Sequence, residues 1–159
     1  MTAILTKIII ESILISGIIG FFFYKRESFF KKNLDHKHEA LIDLLAPVRM
    51  LLLRSKIALK GYDANNTYRE NILKECNEKI RDILLTKGHL IPTDLLDSSK
   101  DFISHYDDWL QHYNDLRIDK KDLQSPFVFT YNFPAKAEQK FVDKYNTYRK
   151  ELKIKQDLS

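Results

Sequence analysis

The chain has 159 residues, of which 30% are charged and 44% hydrophobic, with four glycines, four prolines and one cysteine. This balance is typical of a globular protein and excludes a disordered chain, and the single cysteine excludes an intramolecular disulfide and a cysteine-based zinc site. The net charge of +4 is uneven, with five Lys or Arg against two acids in residues 25–38 and seven against three in residues 136–155. Basic ends of this kind favour an anionic surface, either lipid headgroups or phosphates.

The first predicted element is a transmembrane signal anchor in residues 1–26. Residues 3–24 are 22 in number and mostly apolar, and as a helix they would cover about 33 Å, enough to cross a bilayer core of about 30 Å. Most Lys and Arg lie after this segment, which predicts a single pass with the N-terminus outside and the C-terminal domain in the cytoplasm. The sequence thus predicts a bacterial-type inner-membrane protein, with a basic juxtamembrane segment in residues 27–38 and a cytoplasmic helical domain in residues 39–155.

Polar and small residues within this anchor form two faces of the predicted helix. Lys7 and Glu11 lie one turn apart, and Ser12, Ser16 and Gly20 recur every four residues, a spacing of small residues that lets helices approach closely. Two interpretations of Glu11 stay open. Either it pairs locally with Lys7 near the outer interface, or it faces other copies of the helix or a water-filled path.

Four helical segments are predicted after the anchor. Their limits are near residues 28–60, 67–87, 93–117 and 135–153. Pro47 should kink the first segment or start a new one, and Thr67 with Glu70 fits a capping box at the start of the second. The predicted fold is therefore mainly α: a single transmembrane helix followed by a bundle of helical hairpins, with one short extended aromatic segment.

The extended segment is predicted from alternating aromatic residues. Phe127, Phe129, Tyr131 and Phe133 are separated by single residues, which is typical of extended backbone with one buried face. A lone strand cannot form a sheet. The segment either lies as an arm on the helices or pairs with its equivalent in another copy.

The sequence contains no Gly-rich phosphate loop and no recognised hydrolase or metalloprotease motif, and it predicts a non-enzymatic protein without a cofactor. The best metal candidate is the stretch "HYDDWLQH", where His105, Asp108 and His112 share one helical face around Trp109. The two histidines lie about 10.5 Å apart along a straight helix, too far to hold one ion, so no metal site is predicted.

Anion binding is the chemistry that the residues favour. Arg49 stands among apolar neighbours, which predicts a defined partner, either Asp43, Asp94 or a bound anion, and arginine suits phosphate. A solvated helix face is the alternative interpretation. The predicted anion-binding set is Arg49, Arg54, Lys56, His105, Trp109 and His112.

Three features carry a resemblance to a known family: the segment "IIIESILISGIIGFFFYKR", the lack of catalytic motifs, and scattered Arg and Lys with His105 and His112. In layout the chain resembles the type III CRISPR-associated membrane effectors, which respond to a cyclic oligoadenylate. The resemblance implies an N-terminal membrane helix and a helical cytoplasmic domain that oligomerises and binds the messenger.

Two functions follow as predictions. In the first, the protein is a non-enzymatic sensor or effector of antiphage defence in the lipid bilayer, and its cytoplasmic helical domain forms homo-oligomers. It binds a small anionic ligand such as a cyclic nucleotide, which rearranges its membrane helices. In the second, a membrane-tethered adaptor docks a cytoplasmic partner protein through residues 127–133 or the last helix.

Overall fold

The computed structural model describes the backbone of residues 2–62 and 67–152, and side chains within these ranges from residue 20 onward. This part of the chain is helical apart from its connections and contains no strand. Its α-helices are α1 (Thr2–Ala40), α2 (Ala46–Lys60), α3 (Thr67–Thr86), α4 (Leu96–Tyr113) and α5 (Ala135–Glu151). The chain divides into two compact units, Met1–Lys37 and His38–Ser159.

The predicted transmembrane helix is corrected by the structure. Within the described residues, no helix combines the length and the apolar character that crossing a membrane requires. The described side chains of α1 pass from an aromatic run in residues 21–24 directly to Lys25 and Arg26, so they supply no long apolar stretch. The transmembrane anchor of residues 1–26 and the single-pass location in an inner membrane are therefore wrong.

A π-helical turn, Leu41–Leu45, joins α1 to α2. The N–H of Ala46 donates to the carbonyl of Leu41, five residues back. Pro47 follows directly and has no N–H to donate to the preceding turn, so a local widening of the helix accommodates it. The break that the sequence predicted at Pro47 thus takes the form of a π-helical turn before it.

Helices α2 to α5 form an up-down bundle in which α3 and α5 contact both α2 and α4. Ion pairs tie opposite ends of neighbouring helices together, as expected for antiparallel packing. Lys87, just after α3, pairs with Asp43, just before α2, at 3.4 Å. Lys144, just past the middle of α5, pairs with Asp94, just before α4. The predicted mainly helical bundle is confirmed.

The bundle has two buried clusters of apolar side chains. The larger surrounds Phe102 and includes Leu44, Val48, Ile80, Leu84, Leu95, Tyr106 and Phe141. The smaller contains Ala58, Leu73, Trp109, Tyr113 and Phe127. The smaller cluster thus includes a residue from outside the helices, Phe127.

A long connection links α4 to α5. A second π-helical turn, Asn114–Asp119, continues α4, where the sequence predicted an α-helix as far as Arg117. Residues 120–134, called the arm below, have no regular secondary structure. Phe127 of the arm packs on Trp109, so the arm lies on the helices rather than extending away from them.

Candidate ligand-binding site

A cavity of about 240 Å³ lies between the bundle and the arm. The bundle lines it with Ser55, Leu59, Leu73, Asn77, His105, Tyr106 and Trp109, the loop after α2 with Tyr62, and the arm with Phe127, Phe129, Tyr131 and Phe133. All four alternating aromatic residues of the arm line this space. The alternation in the sequence therefore corresponds to one face of extended backbone, and that face covers the cavity.

Ring contacts join the arm to α4. The ring centroids of Trp109 and Phe127 are 5.0 Å apart, and those of His105 lie 5.4 Å from Phe129 and 5.5 Å from Phe133. Such distances are typical of favourable aromatic pairs. Phe127 is 5% exposed, whereas Tyr131 is 64% exposed, so the arm is fixed near Phe127 and open to solvent near Tyr131.

His105 contributes a neutral imidazole to this cavity. Burial lowers the pKa of His105, and the nearby charge of Asp108 opposes this only in part. The side chain is therefore uncharged at neutral pH.

We expect titration of His105 to leave the free energy of unfolding unchanged above about pH 6.5 and to lower it as the pH falls below this value. The pKa of His105 is lower in the folded than in the unfolded chain, so the unfolded chain takes up the proton first. His105→Phe keeps a ring against Phe129 and Phe133 and should make this decrease shallower. Urea unfolding of both chains between about pH 7 and pH 5 measures the effect, and equal pH dependence would contradict it.

Two buried polar groups border the cavity without a hydrogen-bond partner among the described residues. Asn77 is 6% exposed and Tyr106 is 2% exposed, and burial raises the pKa of the Tyr106 hydroxyl. In the described part of the chain, every fully enclosed side-chain nitrogen or oxygen has a hydrogen-bond partner. The Asn77 amide and the Tyr106 hydroxyl thus keep access to open space, and the cavity is the open space that both residues line.

A buried ion pair lies beneath the arm. Arg117 donates from Nε to one carboxylate oxygen of Glu70 at 2.8 Å and from Nη2 to the other at 2.7 Å. The two side chains are 4% and 1% exposed. Such bidentate pairs combine charge with fixed geometry. The sequence assigned Glu70 to a capping box, but both oxygens of its carboxylate bond to Arg117.

The same arginine holds the start of the arm. Its Nη1 donates to the carbonyl oxygen of Asp122 and, at 3.0 Å, to that of Ser125. The hydroxyl of Tyr62 lies 3.2 Å from Glu70 Oε1 and 3.1 Å from the carbonyl oxygen of Phe127. We call Glu70, Arg117 and Tyr62 the latch, since they connect the bundle to the backbone of the arm.

The predicted cations do not converge. Arg49 lies over the ring of Tyr145, 4.4 Å from its centroid, and not beside Asp43 or Asp94. Arg54 pairs with Glu75 at 2.8 Å, and Lys56 pairs with Glu138 at 2.6 Å. None of these three α2 side chains lines the cavity.

The predicted aromatic and histidine residues are placed together. His105 and Trp109 line the cavity, and the ring of His112 lies 5.1 Å from that of Phe127 on its border. In the described part of the chain, no three His, Cys, Asp or Glu side chains are close enough together to hold a metal ion.

Of the predicted polar and packing residues of α1, only Gly20 belongs to the part of the chain whose side chains the structure describes. Lys7, Glu11, Ser12 and Ser16 lie outside the described side chains. Gly20 lies within them, and a Cβ built on it would meet no other atom within 4 Å.

Sequence reasoning missed Glu70, Asn77 and Arg117. A signal for the first two was present in α3, where Glu70, Leu73, Asn77, Ile80 and Leu84 recur at alternating intervals of three and four residues. This is the spacing of a buried helix face, and all five are buried. A polar residue on such a face needs a partner.

Comparison with protein-family models, with curated proteins and with solved structures finds no match for this chain. The resemblance to the CRISPR-associated membrane effectors therefore stays a prediction.

Proposed function

We propose that the helical bundle is a ligand-sensing module whose ligand occupies the aromatic cavity and whose response is a change in the arm. One observation carries this proposal: the arm supplies Phe127, Phe129, Tyr131 and Phe133 to the wall, and the bundle supplies most of the rest. A molecule in the cavity would contact both parts. Its binding free energy would therefore favour the state in which the arm is closed over the bundle.

The attachment of the arm suits such a response. At one end it is held by the latch and by Phe127, which lies against Trp109 and Tyr113. Towards the other end Tyr131 is 64% exposed and Phe133 is 41% exposed. Segments with few buried contacts open at low cost in free energy. A ligand that contacts Tyr131, which lines the cavity and is 64% exposed, would add contacts where the closed arm has fewest.

The other predicted functions have less support. Arg49, Arg54 and Lys56 are engaged with Tyr145 and with carboxylates, so they do not form a shared anion site. Docking of a partner through residues 127–133 could not use Phe127, which is buried in the bundle. Homo-oligomerisation, the adaptor function and the absence of enzymatic activity stay predictions.

Amide hydrogen exchange of the 159-residue chain tests the proposal. Three probes of suitable size are adenine, cytosine and toluene. We expect at least one of them to slow exchange in the arm, because a filled cavity stabilises the closed arm. The effect should be weakened in Phe129→Ala, which removes one ring from the wall.

Val128→Ala is the matched control. Val128 neighbours Phe129 but is 60% exposed and does not line the cavity, so this variant should respond to the probe as the unaltered chain does. Unchanged exchange in the arm with all three probes at concentrations near their solubility would contradict the proposal.

A further inference from the structure

We infer that the cavity selects an uncharged, planar heteroaromatic ring whose edge carries a hydrogen-bond donor next to an acceptor, as in an amino-substituted pyrimidine or purine. This inference rests on the proposed function and specifies its ligand. It depends on the shape of the cavity, on the unpartnered Asn77 amide and on the absence of formal charge among the lining residues.

The shape of the cavity favours a flat ring. The rings of His105 and Trp109 on α4 contact those of Phe127, Phe129 and Phe133 on the arm at centroid distances of 5.0–5.5 Å. Together they form one aromatic wall of the cavity, against which a ligand ring would lie. The volume of about 240 Å³ is below the range of about 300–1,000 Å³ typical of pockets for drug-sized ligands. It therefore suits a single ring system. Stacking on aromatic side chains is a general means of holding such rings.

The Asn77 amide would select a ligand ring by the hydrogen-bonding groups on its edge. A side-chain amide presents a donor and an acceptor side by side, which matches a ring nitrogen adjacent to an exocyclic amino group. Asn77 is 94% buried, as its exposure of 6% shows. A purely apolar ligand would cover this amide without a hydrogen bond, which costs free energy. The Tyr106 hydroxyl offers a further donor or acceptor to the same ligand.

The absence of charged side chains around the cavity excludes an ionised ring. Among the described residues that line it, none is Asp, Glu, Lys or Arg, and His105 is neutral at neutral pH. A charged ring would lose its hydration here without gaining a counter-charge. The ligand ring should therefore bind in its neutral form.

Isothermal titration calorimetry of the 159-residue chain with adenine, cytosine and toluene tests this inference. We expect adenine or cytosine to bind about tenfold more tightly than toluene, which fits the cavity but has no polar edge. Asn77→Leu keeps the size of the side chain and should remove this preference. Tyr106→Phe removes one hydroxyl and should weaken binding of the preferred base about threefold.

The inference would be overturned if toluene bound as tightly as both bases. It would also be overturned if Asn77→Leu folded normally by circular dichroism and kept the full preference for the base. Binding of toluene alone, with slowed exchange in the arm, overturns the ligand class and leaves the sensing function in place. No binding of any probe, together with unchanged exchange, overturns both.

Discussion

Replacing Arg117 by alanine is expected to lower the free energy of unfolding by about 3–5 kcal/mol, because it leaves the buried carboxylate of Glu70 without its partner. Arg117 and Glu70 share two hydrogen bonds, and both side chains are at most 4% exposed. The variant also loses the bonds from Arg117 to the arm. Urea unfolding, followed by circular dichroism, measures the change.

An exposed ion pair provides the matched control. Arg54 and Glu75 are 46% and 42% exposed, so Arg54→Ala should cost less than about 1 kcal/mol. The double variant Glu70→Leu/Arg117→Met should recover most of the lost stability, because apolar side chains of similar volume can replace a buried pair. Equal losses for Arg54→Ala and Arg117→Ala would contradict the role of the buried pair.

The second large effect is expected from Phe102→Ala, which should also lower the free energy of unfolding by about 3–5 kcal/mol. Phe102 is fully buried. Its ring centroid lies 5.7 Å from that of Tyr106, 5.3 Å from Phe141 and 6.0 Å from Phe133. Truncation would therefore leave a void where α4, α5 and the end of the arm meet. Thermal and urea unfolding measure the loss.

Ile57→Ala serves as its control. Ile57 belongs to α2 but is 68% exposed, so removing its side chain should change the free energy of unfolding by no more than about 0.5 kcal/mol. If Phe102→Ala were as mild as Ile57→Ala, the packing of α4 against α5 would not be as the structure shows it.

The helices of the bundle were largely predictable from the sequence, because hydrophobic spacing and end signals are local. The start of α3 at Thr67 and its end close to Lys87 were predicted correctly, although the Glu70 carboxylate of the predicted capping box bonds to Arg117 instead. The π-helical turn Asn114–Asp119 was not predicted. It lies where Arg117 is drawn into the bundle by Glu70, and a partner 47 residues away in the chain leaves no local signal.

The transmembrane prediction failed in another way. It relied on a count of apolar residues in residues 1–26, whereas the described part of α1 is rich in charge from Lys25 onward. Lys, Glu and Arg are all good helix formers, and the helix continues through this charged segment as far as Ala40.

The candidate site was half predicted. The sequence singled out His105, Trp109, His112 and the alternating aromatic residues of 127–133. All of these except His112 line the cavity. The cations of α2 were assigned to an anion because the sequence does not show which carboxylate faces each of them across the bundle. Glu75 and Glu138, on α3 and α5, turned out to be the partners of Arg54 and Lys56.

The most direct test of the central claim uses Trp109, the only tryptophan of the chain, which lines the cavity and contacts Phe127. Its fluorescence is measured as the 159-residue chain is titrated with adenine, cytosine and toluene. The account predicts a saturable change with at least one probe, weakened in Phe129→Ala and retained in Val128→Ala. The absence of a saturable change with all three probes, in a chain shown to be folded, would contradict it.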